Sequence, residues 1–172
     1  MSSAASVYLL ALAALSLSFV GFTGIIVAVR LGLGAQLSHR HLALVAYFIE
    51  GGLAVTALAL LPALVALTDF TGTQIWQLLS VVAGLTFTAH LVFTFRRRRR
   101  LAQDVERGAS TGVLIPLIFT GVPVAILWSN AFGFPYQSNE VLYALALTWN
   151  LFLYGLVFLD TLQLFLGPPP GV

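Results

Sequence analysis

Five consecutive arginines, Arg96, Arg97, Arg98, Arg99 and Arg100, stand between two long apolar segments. Carrying guanidinium groups into hydrocarbon costs roughly 2.5–3.5 kcal/mol each on insertion scales. A block of this kind stays on one side of a bilayer, in contact with anionic headgroups, and the flanking segments take their direction from it. The pattern speaks to topology and not to activity.

Whether a bilayer is involved is a matter of composition. Of 172 residues, 59% are hydrophobic and only 8% charged, against about 25% charged in an ordinary soluble domain. Such a chain has too few polar side chains to cover a water-soluble surface. Its apolar runs recur at about the 20 residues needed to cross hydrocarbon as a helix. The pattern predicts an all-α fold, a single five-helix transmembrane domain over residues 1–172. The spans are expected at about 7–30, 42–67, 75–95, 111–131 and 140–166. The apolar run from Val7 to Val29 is long enough to span, so it reads as the first helix and not as a secretory signal.

The loops set the orientation. Arg30 and Arg40 flank one loop and the Arg96–Arg107 stretch forms another on the same side, whereas the alternate loops carry only Asp69 and Glu140. The positive-inside rule then puts the N-terminus outside and the C-terminus in the cytoplasm, as in a bacterial cytoplasmic membrane protein. Trp76, Trp128, Tyr8 and Tyr143 fall near the outer helix ends, where an interfacial aromatic belt is expected.

Ionisable side chains within a span are costly and are the first candidates for function. They are Glu50, His90 and Asp160. At 1.5 Å per residue they lie about 12, 8 and 9 Å from the cytoplasmic ends of their expected helices. Similar depth on three helices would let them meet. Glu50 reads as a proton carrier or cation ligand, or else as a neutral carboxyl bonded across a helix contact. Thr86, His90 and Thr94 recur every four residues and form one polar stripe. A buried His satisfied by a Thr or a backbone carbonyl is the structural alternative there. Asp160 could equally reach the headgroups or Arg30. Gly51 and Gly52, beside Glu50, and Gly21 and Gly24 on the first helix offer surfaces for close helix packing. Asn150 and Tyr154, one turn apart, read as interhelical hydrogen-bonding groups. Pro116, Gly121 and Pro123 are expected to kink or loosen the fourth helix.

Several chemistries drop out. With no cysteine, thiol, disulfide and Cys-ligated metal sites are excluded. Phosphate-binding glycine loops, His-Glu-x-x-His, Gly-x-Ser-x-Gly and EF-hand patterns are missing, so an enzyme is the least favoured class. No metal site has a local ligand spacing, and a haem would need His90 and His41 on facing helices. The cofactor is therefore left open. The arginines lack the aromatic and polar surface that nucleic acid requires. In size and helix count the chain is similar to the tryptophan-rich sensory (translocator) family, but that family's Trp- and Pro-rich loop motifs are missing and nothing is transferred from it. The expected partners are the lipid bilayer and either further copies or a larger membrane complex. Two functional classes are expected: a small proton- or ion-coupled transporter or channel using Glu50, or a non-catalytic accessory, lipid-binding or haem-binding membrane protein.

Overall fold

A computed structural model describes residues 3–34, 39–67, 73–102, 111–134 and 139–166. Five α-helices make up this part of the chain: α1 (Ser3–Gly32), α2 (His39–Val65), α3 (Thr73–Ala102), α4 (Thr111–Ala131) and α5 (Asn139–Leu166). Four contain stretches long and apolar enough to cross a membrane, namely Ala4–Gly32, Leu42–Val65, Gln74–Arg96 and Glu140–Leu159. The fifth, α4, is 21 residues long.

The helix of α3 does not stop at the arginines. It runs through them to Ala102, about 10 Å past Phe95 at 1.5 Å per residue. Arg is a good helix former, so the block prolongs the rod. Arg96 is exposed; the side chains of Arg97–Arg100 lie outside the described set.

The helix order in space is not the order in sequence. α5 packs against all four of the others, and α1 to α4 form an arc around it. Consecutive α2 and α3 touch least of the contacting pairs, because α5 lies against both. The core is built where the helices meet, from Phe48 and Val55 of α2, Leu79, Ala83 and Phe87 of α3, Leu127 of α4 and Tyr143, Ala146 and Leu147 of α5.

Prolines dictate part of this packing. Pro62 lies inside α2 and has no amide to offer the carbonyl four residues earlier, that of Leu58. The Tyr143 hydroxyl of α5 donates to that carbonyl instead, at 2.7 Å. Pro123 does the same to Phe119 in α4, and Trp149 Nε1 of α5 donates to the Phe119 carbonyl at 3.0 Å. Where hydrocarbon surrounds a helix there is no water to satisfy such a group, so α5 supplies what two prolines remove.

The glycines divide by what lies beside them. Gly51 faces α5, where a Cβ would run into the Tyr154 ring and hydroxyl; Gly52 faces α1, where a Cβ would run into Val20. The Gly52 carbonyl accepts from Ser16 Oγ at 2.8 Å and from Thr56 Oγ1 at 2.9 Å. Gly84 of α3 lets the Trp128 ring approach, its nearest ring atom 3.3 Å from where a Cβ would sit. Gly21 and Gly24 have no neighbouring atom within 4 Å of that position. Among the described residues of one copy, nothing fills that space.

The aromatic belt is only partly what the sequence suggests. Trp76 is 8% exposed and Tyr143 0%, and the two rings pack on each other at 5.7 Å inside the core. Trp128 lies against Gly84 and donates to Thr88 Oγ1 at 3.2 Å. Only Tyr8 keeps an exposed position, bonded to Thr148 Oγ1 at 2.6 Å. Amphipathic aromatics suit an interface and a hydrogen-bonded core equally well, and here most of them go inward.

Candidate functional site

Three helices bring polar aromatic side chains together in the interior. Tyr47 of α2 stacks on His90 of α3, ring centroids 5.0 Å apart and planes 24° apart. Tyr154 of α5 meets both edge-on, at 5.5 Å from Tyr47 and 6.3 Å from His90. Since α2 and α3 have little other contact, the Tyr47–His90 stack is a principal bridge between them.

Glycine makes the arrangement possible. Tyr154 is 1% exposed, and its ring and hydroxyl occupy the space a Cβ on Gly51 would fill. Any larger residue at 51 would push α5 away from α2. Tyr47 lies three residues before Glu50 and so shares its side of α2.

Glu50 differs from its neighbours. Its side chain is exposed at the surface of the bundle, yet its carboxyl acts electrostatically on the His90 imidazole. Glu50 is thus a surface acid that influences the half-buried imidazole, and the imidazole in turn meets the Tyr154 ring. Chemically this is an acid at the surface, a half-buried imidazole and a buried hydroxyl, each a group that can hold or release a proton.

Thr86 Oγ1 donates to the Val82 carbonyl of its own helix at 2.8 Å, which satisfies it locally. Thr94 is half-buried. Asn150 is 0% exposed and donates through Nδ2 to Ala146 O at 3.0 Å. The side chain of Asp160 lies outside the described set; on α5 its position is six residues beyond Tyr154, about 9 Å along the axis. The side chain of His41 is likewise outside it. Among the described residues no group of three or more His, Asp or Glu side chains is arranged to hold a metal ion.

Tyr47 went unnoticed in the sequence. The available signal was its i, i+3 relation to Glu50, which puts a tyrosine beside the acid on one helix face. Tyr154, read as a packing group, is the α5 contribution to the cluster.

Away from this cluster, an apolar groove of about 540 Å³ runs between α1 and α5, lined by side chains such as Leu12, Leu15, Phe19, Leu151 and Phe158. Comparison of the chain with known protein families, curated proteins and solved structures finds no match.

Proposed function

We propose that this chain is an integral protein of a bacterial cytoplasmic membrane, N-terminus outside and C-terminus inside, and that it binds and moves protons, coupled to the passage of a small solute or ion. Large apolar side chains exposed on the outer faces of the helices, Phe22, Ile25, Leu64, Leu78, Phe93 and Phe152 among them, support residence in lipid, since water-soluble monomers rarely expose apolar surface so broadly.

The observation that carries the proton reading is the Glu50–His90–Tyr154 set, one group from each of α2, α3 and α5. An intramembrane carboxylate next to an imidazole is costly to keep without use. In proteoliposomes carrying a pH-sensitive dye, an imposed potential should drive proton entry. Glu50→Gln should abolish it and Glu50→Asp should retain a measurable fraction. Absence of flux under any imposed gradient would overturn the reading.

A second reading is favoured by one specific feature. Glu50 is exposed at the bundle surface, which also suits an accessory subunit that presents its carboxyl to a neighbouring membrane helix or a further copy. In that case Glu50→Gln leaves any ion flux unchanged and shifts the detergent-solubilised particle to a smaller size.

A further inference from the structure

Three buried polar atoms around the cluster have no hydrogen-bond partner among the described residues: His90 Nε2, Tyr154 Oη and Asn150 Oδ1. Asn150 and Tyr154 are four residues apart on α5 and share one face. Side chains on a helix lean toward its N-terminus, so the Tyr154 ring leans back toward the level of Asn150. His90 touches that ring from α3. His90 and Tyr154 are therefore in contact, and Asn150 stands one turn before Tyr154 on the same face of α5.

The described contacts hold two of these side chains in place. Asn150 Nδ2 is committed to Ala146 O, which leaves its oxygen as an acceptor. The Tyr154 phenol is fixed between the Gly51 backbone and the two rings of Tyr47 and His90. Polar groups buried without partners are rare, and where protein does not supply one, water does. A water molecule fits the chemistry required: it donates to Asn150 Oδ1, exchanges a hydrogen bond with Tyr154 Oη, and can donate to or accept from His90 Nε2.

We propose that this junction is a binding site for water, one molecule or a short chain, held by Asn150, Tyr154 and His90. Such water would connect the imidazole to the buried Tyr154 and Asn150 of α5. The consequence for proton transfer rests on the function proposed above; the hydration does not.

Two measurements test it. The first is thermal stability in detergent. If the Tyr154 hydroxyl is hydrated, Tyr154→Phe breaks a network and lowers Tm. Asn150→Leu does the same, and the double variant loses less than the sum of the two. If the hydroxyl is dry, Tyr154→Phe removes a cost and raises Tm. A raised or unchanged Tm, or strict additivity, overturns the proposal. The second uses the unmodified protein and needs no variant to fold. Infrared spectra of partly dried membrane films should show an O–H stretching band, distinct from bulk water, that shifts on exchange into H2(18)O; its absence overturns the proposal. Such a band without proton flux in proteoliposomes would sink the transport reading and leave the water site standing; flux without the band would do the reverse.

Discussion

Tyr143 and Pro62 form a complementary pair: the proline withdraws an amide from the Leu58 carbonyl, and the tyrosine hydroxyl replaces it at 2.7 Å. The relationship can be measured as a coupling. Tyr143→Phe leaves a buried carbonyl unsatisfied, at a cost of about 1–3 kcal/mol. In a Pro62→Ala background the helix regains its own amide, so the same change should cost clearly less. Unfolding from detergent micelles by a denaturing surfactant, run as a double-mutant cycle, reads the difference. Equal costs in both backgrounds would show that the hydroxyl is not acting for the proline.

The same test applies on α4. Trp149→Phe should lower stability by about 1 kcal/mol through loss of the bond to the Phe119 carbonyl. Pro123→Ala should reduce that loss. Tryptophan fluorescence is unsuitable as the probe in this series, so far-ultraviolet circular dichroism should follow unfolding.

Glycine substitutions should separate into two groups. Gly51→Ala forces the Tyr154 ring and α2 apart, an overpacking change that typically costs about 1–3 kcal/mol. Gly21→Ala and Gly24→Ala meet open space and should fall within about 0.5 kcal/mol of wild type. A Gly24→Ala variant that loses stability together with a change in particle mass would show a second copy packed on α1.

The two hydroxyls on the Gly52 carbonyl should be partly redundant. Ser16→Ala leaves Thr56 bonded to that oxygen, so it should cost less than about 1 kcal/mol. Ser16→Ala combined with Thr56→Val should cost more than the sum. Thermal melts of the three proteins decide it.

How far the sequence could be read follows from which signals are local. Apolar stretches are local, and the five helices lie close to where hydropathy puts them, four of them long and apolar enough to cross a membrane. Gly51 and Gly52 are local too: adjacent residues on a helix point about 100° apart, so a glycine pair suggests neighbours on two sides, as α5 and α1 prove to be. A single helix's length gives depth, which is why Glu50 and His90 could be expected at similar levels.

Rotation about the helix axis is not local. No apolar stripe marks which side of α3 or α5 faces inward, because exposed and core-facing positions are equally apolar. Trp76 and Tyr143 therefore looked like belt residues and are core residues. The central place of α5 and the part played by Tyr47 and Tyr154 depend on the same missing information. Pro62 announced that a carbonyl would lack its amide, but which helix would answer depended on tertiary packing.

The position of α5 has a consequence for biosynthesis. The helix that touches every other is also the last of the five to leave the ribosome. Until α5 is present, the carbonyls of Leu58 and Phe119 lack the donors that Tyr143 and Trp149 bring, and α2 and α3 have little to hold them together. The first four helices therefore cannot complete their packing before the final one has been made.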